Sequence, residues 1–396
     1  MERRYDVGIV GGGPAGAWLA RELSRKGFGV LLCERSATAG EPNFSTAGTP
    51  ALTIERFGIP RAAIGGTWSA IEVIGPTETM RADCGPEAGY VLDFRRMKQL
   101  LLAEAEAHGA TVLLGTAVRG ITRDAGRTVI RARSGTPIGT AKIIVDASGP
   151  VGVIATAIGL RKQIVNPPSP AVEIIADVPD LSPKQAHALG VYLGERFIPH
   201  GYGWAFPMGG TRIKLGVGVY QPSRRGDNIG LETRLRHFLQ KLPWLGQYAI
   251  EERHGGMGYL SGGIRRHVRG NVIAIGDAAD QINPLGGEGI RHALQSASFA
   301  ARVITDVLQF NDHRRLGQYE HLWEHYIGWR WRAMHYFGAV LYGHLSDPWM
   351  DRFVRLLGRM QPQELFDFLF EYRLGPIFKQ ALLRVPAKSQ RLLGLR

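Results

Sequence analysis

The apolar positions keep two rhythms along the chain. Tyr5 to Val10 is apolar apart from Asp6 and barely alternates, the pattern of a strand covered on both faces of a parallel sheet. A helical pattern runs from Ala17 to Lys26, and Val30 to Glu34 predicts a second strand ending in an acid. Buried strand and amphipathic helix return at Met97 to His108, at Ile143 to Val145, and at Val272 to Ile275 followed by Ile290 to Leu308. Between about Leu160 and Arg266 the rhythm changes to short strands parted by turns: Val172 to Asp177, Gly190 to Phe197 and Ile213 to Tyr220. Tandem strands with few helices predict an antiparallel sheet separate from the α/β part. From about Phe310 helical spacing takes over. The expected organisation is an α/β domain over residues 1–160 closed by 267–310, an antiparallel-sheet substrate domain over 161–266, and a C-terminal helical region over 311–396.

The turn between the first strand and helix carries the first chemistry. It reads Gly11-Gly12-Gly13-Pro14-Ala15-Gly16, a G-x-G-x-x-G, with Glu34 closing the second strand. Gly11 permits the tight turn, Gly13 lets backbone amides approach a pyrophosphate, and Gly16 lets helix and strand pack closely. The helix N-terminus adds partial positive charge, and a terminal carboxylate accepts protons from ribose hydroxyls. This set predicts a dinucleotide, and by itself leaves FAD and NAD both open.

A later segment decides between them. Gly270 to Ala279 is a short strand ending in Gly276-Asp277, followed by Pro284-Leu285-Gly286-Gly287-Glu288-Gly289-Ile290 and the helix from Ile290. An acid there can hold a ribityl hydroxyl, while helix-end amides stabilise negative charge on a reduced isoalloxazine. The two motifs together resemble the FAD-binding domain of glutathione-reductase-type flavoproteins, in the branch with the p-hydroxybenzoate hydroxylase fold. The resemblance implies a Rossmann-like domain holding FAD. Its contacts would be Gly11, Gly13, Pro14, Ala15, Gly16, Glu34 and Arg35 at the nucleotide end and Asp277 at the ribityl chain. Pro284, Gly286, Gly287, Gly289 and Ile290 would lie beside the flavin ring. It further implies contacts from Ala47, Gly48 and Val118, and an arginine where Asp93-Phe94-Arg95-Arg96 precedes a helix; the register admits Arg95 or Arg96, and Arg95 is assigned. Ile143 to Gly149 is similar to the family's strand ending Ala-Asp-Gly. Ser148 replaces the second aspartate and the following Ser-x-x-Arg is missing, which argues against a nicotinamide contact there.

The middle segment points to a substrate. Tyr202, Trp204 and Phe206 alternate in His200-Gly201-Tyr202-Gly203-Trp204-Ala205-Phe206-Pro207, so one sheet face carries all three. On residue type alone such a strip is core, an inter-domain seam or a cavity wall. The string resembles the Tyr-x-Trp-x-Phe-Pro motif of the geranylgeranyl reductase family of FAD-dependent oxidoreductases, where Tyr202, Trp204, Phe206 and Pro207 would line a prenyl cavity. Flat aromatic faces suit a long chain that offers no polar handles. The resemblance runs from Val7 to about Gly328, because Tyr319-Glu320 and Trp323 sit where that family has its post-flavin helix. One departure concerns a cysteine that archaeal-type members often carry after the second strand: here the stretch is Asn43-Phe44-Ser45-Thr46-Ala47-Gly48. Ser45 or Thr46 can replace the thiol as a hydrogen-bond donor, or the turn simply packs on the ring.

Composition narrows the classes. With 44% hydrophobic and 21% charged residues, the chain is globular rather than disordered. Lys and Arg exceed Asp and Glu by 48 − 35, a surplus of 13 that favours phosphate-bearing partners. No zinc-finger or RNA-binding signature and no long basic run accompanies it, so nucleic acid is not expected. Two cysteines make no disulfide framework, and Cys33, inside a predicted strand, reads as a small buried hydrophobe. No signal-peptide pattern and no stretch of about 20 apolar residues is found, so a cytoplasmic location is expected. The tail clusters aromatics (Trp323, Tyr326, Trp329, Trp331, Tyr336, Phe337, Tyr342 and Trp349) with Arg330, Arg332, Arg352, Arg355 and Arg359. That mixture suits a helical lid and also peripheral membrane contact, with arginines at head-group phosphates. His321 to His325 spells H-x-x-E-H, but no third ligand is evident and no metal is expected.

The reading that follows is an FAD-dependent reductase saturating carbon–carbon double bonds of a prenyl lipid, with NADPH or a ferredoxin-type donor. Tyr202 and Glu288 are the candidate proton donors. The competing readings are a monooxygenase or hydroxylase on the same scaffold, a carotenoid cyclase-like enzyme, and a non-catalytic isoprenoid-binding flavoprotein. A halogenase is disfavoured because Trp329-Arg330-Trp331 lies in the tail rather than mid-chain.

Overall fold

The computed structural model describes residues 3–124, 127–161, 168–220 and 229–382. The chain builds two compact units, each from separated segments. The first gathers Met1–Ile64, Leu92–Ser169 and Gly256–His335; the second gathers Gly65–Val91, Pro170–Gly255 and Tyr336–Arg396.

In the first unit a parallel sheet runs Val272–Ala274, Pro137–Asp146, Arg4–Val10, Val30–Cys33, Thr111–Leu113 in spatial order. Its inner strands are apolar almost without break because both faces are covered. The register aligns Val10 with Asp146 and Cys33, and Asp146 with Ala274. The strands therefore end level. The glycine turn, Glu34, the Asp146–Gly149 turn and the Gly276–Asp277 turn all leave one sheet edge, where open α/β sheets bind their ligands. The strand pair Val118–Asp124 and Arg127–Ala132 adds on antiparallel beside Pro137–Asp146.

The second unit is a seven-stranded sheet in the order Ala249–Gly258, Ser169–Asp177, Arg212–Val219, Gly201–Pro207, Ala188–Leu193, Ala70–Ile74, Thr79–Asp83. One face holds the core: Val172, Ile174, Ala205, Leu215 and Val217 pack with Leu235 and Phe238 of the helix Leu231–Gln240. The three strands predicted from the central segment are among its inner strands. Residues 65–91, grouped by sequence with the nucleotide-binding part, belong to this unit. Ala70–Ile74 pairs parallel with Ala188–Leu193, a partnership of strands more than a hundred residues apart that local rhythm cannot announce. The tail is helical through Leu382, where the described residues end. Trp323 and Trp331 are buried, whereas Trp329, Tyr336 and Trp349 are exposed.

Candidate functional site

The glycine turn has the shape its sequence demands. Gly11 has φ +107, and a Cβ there would lie 2.2 Å from the Ala147 carbonyl oxygen; one at Gly16 would lie 2.0 Å from the Gly11 oxygen. Neither position accepts a side chain. A Cβ at Gly13 meets nothing within 4 Å, so the chain leaves open space there. Gly13 caps the helix Pro14–Arg25 without a side-chain hydrogen bond, and its first turn carries no acid, which keeps the end amides available to an anion. The Glu34 carboxylate is oriented by two backbone N–H groups, Gly12 at 2.7 Å and Ser36 at 2.8 Å. Arg35 beside it is exposed. This constellation fits a dinucleotide: an open phosphate cradle with a fixed carboxylate one strand away.

The second turn fits the other end of the same ligand. Gly276 has φ +60 and begins a short 3-10 turn that includes Asp277. Burial pushes the Asp277 carboxyl up to about 6, with the Asp280 charge adding to the rise and Arg161 opposing it. Gln281 accepts the Gly276 N–H at 2.6 Å and donates to the Tyr319 hydroxyl at 3.0 Å, while Asn283 accepts the Leu285 N–H at 2.8 Å. Pro284 is buried, and Gly287 has φ +69. Gly286 is exposed. Gly289 caps the helix Ile290–Phe310 with no side-chain bond, leaving its first amides available as well. Ile290 is buried at that helix end.

Glu288 was a candidate acid, and its surroundings bear on that role. Its two oxygens accept Arg291 Nε at 2.8 Å and Nη2 at 2.9 Å, and His292 Nε2 lies 3.6 Å away. The Arg291 charge overcomes the cost of burial and holds the carboxyl far below its usual range. A carboxylate so held is ionised at neutral pH and has no proton to give. The i,i+3 and i,i+4 spacing of Glu288 with Arg291 and His292 was a readable signal for this pairing.

Other assigned positions fall as follows. Arg95 sits at the start of the helix Phe94–Ala107, which Asp93 caps by accepting the Arg96 N–H at 2.9 Å. Its Nε donates to Glu41 at 2.8 Å, turning the side chain toward the 40–41 turn, whereas Arg96 is exposed. Ala47 is buried with φ +55, next to Gly48, and Ser45 Oγ accepts the Ala47 N–H at 3.1 Å; the Ser45 hydroxyl thus shapes its own turn. Val118 packs against the core of the nucleotide sheet. Ser148, standing for the absent aspartate, donates to Asp146 at 2.5 Å and accepts the Val153 N–H at 2.8 Å, so it serves as a local cap.

Two groups escaped the sequence reading. Lys98 lies on the buried side of its helix with Met97, Leu101 and Leu102, and donates to the Pro42 carbonyl at 2.7 Å. Burial pulls its ammonium down to about 8, against the nearby Glu34 and Glu41 charges. A lysine at an apolar position of the helical period was the available clue. Arg161 and Asp280 form a buried ion pair, with Arg161 stacked 4.6 Å from the Tyr259 ring and Ser261 donating to Asp280 at 2.8 Å. Arg161 also donates to the Pro150 carbonyl, so the pair ties three chain segments together beside Asp277. Nothing local in the sequence links residues so far apart.

On the second unit, the face opposite the core carries the aromatic strip. Cross-strand pairs Tyr202–Gly218, Trp204–Gly216 and Phe206–Lys214 put these side chains on one side. A Cβ at Gly216 would lie 2.3 Å from Trp204 Cζ2, so the indole lies flat across the neighbouring strand. Trp204 Nε1 reaches over it to donate to Glu173 Oε2 at 3.3 Å. Trp204 is buried, while Tyr202 and Phe206 are half-buried; Pro207 is buried at the strand end. The Tyr202 ring lies 5.7 Å from Trp204 and 5.8 Å from Tyr342, tilted by 49° and 31°. Burial pushes its phenol up to about 12, which keeps the proton on oxygen. A nearby pocket lined by His200, Glu195, Tyr342 and His344 encloses about 130 Å³, too little for a long lipid chain.

Comparison with known proteins agrees with these motifs. The family profile described as FAD binding domain matches residues 4–327. A digeranylgeranylglycerophospholipid reductase of Haloferax volcanii is 28% identical over 92% of this chain and 92% of its own length. Digeranylgeranylglycerophospholipid reductase 1 of Methanopyrus kandleri is 30% identical over 81% of this chain and 86% of its own. A crystal structure of a geranylgeranyl bacteriochlorophyll reductase-like protein from Thermoplasma acidophilum superposes with a TM-score of 0.86 at 24% identity, each chain covered completely.

Proposed function

Because this chain belongs to the FAD binding domain family, and within it to the geranylgeranyl reductases, we propose that it reduces carbon–carbon double bonds of a geranylgeranyl-type lipid. The observation that carries this reading is the coexistence of both flavin turns on one sheet edge with the Tyr202, Trp204 and Phe206 strip in the second unit. FAD, once reduced, supplies the hydride that an isolated alkene needs. The chain's own residues bind and orient. Gly13 and the following helix end receive the pyrophosphate, Glu34 the ribose, and Asp277 the ribityl chain. The amides after Gly289 meet the electron-rich edge of the flavin. The aromatic strip offers flat apolar faces that suit the isoprenoid chain. Of the two proton-donor candidates, the protonated Tyr202 is the one chemically able to serve, because Glu288 is committed to Arg291.

Electron supply from NADPH or a ferredoxin-type protein, and peripheral contact with membranes, complete the proposal. Anaerobic reduction of the flavin followed by a geranylgeranyl phospholipid tests it. Reoxidation without oxygen, with lipid mass rising by two hydrogens per event, is expected. Flavin that stays reduced until air is admitted would overturn the reductase reading and leave hydroxylation, cyclisation or carriage.

A further inference from the structure

The helix Asp347–Leu357 divides its charges in an unusual way. Met350, Val354 and Leu357 face inward at helical spacing. Its two carboxylates are used inside the fold. Asp351 accepts the Thr77 N–H at 3.0 Å, the Thr77 hydroxyl at 2.7 Å and the Glu78 N–H at 3.0 Å, and Asp347 accepts the Glu195 N–H at 2.7 Å. What remains outside is Trp349, 55% exposed, with the exposed Arg352 and Arg355 on the same side of the helix at i, i+3 and i+6, and the exposed Arg359 two residues past the helix end. The Arg352 guanidinium lies 4.3 Å from the Trp349 ring, and Arg355 keeps a loose pair with Glu78 at 3.6 Å. Arg330 and Arg332, the nearer tail arginines in sequence, are differently engaged. Arg330 donates to the Tyr326 carbonyl at 2.6 Å, and Arg332 pairs with Glu324 at 2.9 Å.

We infer that this outward helix face is the surface with which the protein docks on a membrane rich in anionic phospholipid. Such a face joins three arginines, suited to head-group phosphates, with a tryptophan suited to the polar–apolar boundary. Net charge of +13 supplies long-range attraction of the same sign. The inference extends the membrane contact proposed above to one helix, and its test requires no turnover.

The full-length, FAD-loaded protein is sedimented with vesicles of phosphatidylglycerol and phosphatidylcholine, and with vesicles of phosphatidylcholine alone. Binding to the anionic vesicles is expected to exceed binding to the neutral ones and to fall as salt is added. In the R352Q/R355Q/R359Q variant the partition coefficient should drop roughly 150-fold, given the usual worth of a basic side chain at such a surface. W349S should weaken it further on the same vesicles, and R330Q/R332Q should leave it within about twofold. Retained flavin absorbance and circular dichroism show that each variant is folded. A triple variant that sediments like the wild type, or a wild type that ignores anionic vesicles, overturns the inference. So does a loss confined to polynucleotide binding. Failure of lipid reduction with intact, arginine-dependent sedimentation would sink the proposed reaction and leave this inference standing.

Discussion

Replacing His267 with leucine should flatten the acid dependence of stability in the first unit. The imidazole is 5% exposed, its Nε2 has no hydrogen-bond partner among the described residues, and Tyr319 and Trp323 flank it at 5.6 and 6.1 Å. Burial pulls its pKa from 6.5 down to about 4, with Glu324 opposing. The folded state therefore binds fewer protons than the unfolded chain between those values. Stability is complete above the unfolded pKa and declines as pH falls through 6.5 toward 4. Linkage over that window gives a loss of about 2.5 kcal/mol by about pH 4.5. For a unit of this size that corresponds to roughly 5–10 °C in Tm. Thermal unfolding of wild type and H267L, followed from about pH 7.5 to 4.5, should show the wild type falling further by that amount. Flavin release reports the same event, because the His267 carbonyl accepts the N–H of Ala274 on the strand leading to Asp277, at 2.8 Å. Parallel decline of the two proteins, or a His267 NMR resonance titrating near its ordinary pKa, would refute the reasoning.

Three further outcomes are expected. Gly216→Ala forces a methyl group to within 2.3 Å of the Trp204 ring and 2.7 Å of the Val172 carbonyl; lipid turnover should fall at least about tenfold while FAD content stays stoichiometric, and unchanged kinetics would dissociate Trp204 from the substrate. Asp277 protonates as pH drops through about 6, so FAD affinity should weaken by roughly tenfold per unit below that value, and D277N should bind weakly with no such slope. The Cys33 thiol, pushed up to about 12 by burial, should resist maleimide at mildly alkaline pH in the native protein and react once it is unfolded.

The legible part of the chain was what short-range geometry dictates. Gly11 and Gly16 cannot be anything else where backbone approaches within 2.2 Å of a Cβ, and such demands are written at single positions. Alternation likewise placed Tyr202, Trp204 and Phe206 on one face, because a strand's period leaves no choice. Partnership was less readable. The parallel pairing of Ala70–Ile74 with Ala188–Leu193 depends on tertiary packing, and neither strand's sequence names the other. The Arg161–Asp280 pair escaped for the same reason, since its partners are 119 residues apart. Lys98 and Glu288 fall between these cases: each broke or completed a helical spacing that was visible, and only the fold shows which neighbour each one meets.

The level strand ends have a consequence for how the protein is made. Val10 and Cys33 leave the ribosome long before Ala274, which is aligned with them through Asp146 and emerges only after the whole second-unit sheet. A nascent chain thus owns a phosphate-binding turn long before it owns the carboxylate and helix end that receive the rest of the flavin. Premature termination, or a cut that frees the later segment, leaves a product with half a cradle. Yellow colour in a preparation is accordingly a measure of synthesis through the helix Ile290–Phe310 and of assembly of the two turns on one sheet edge.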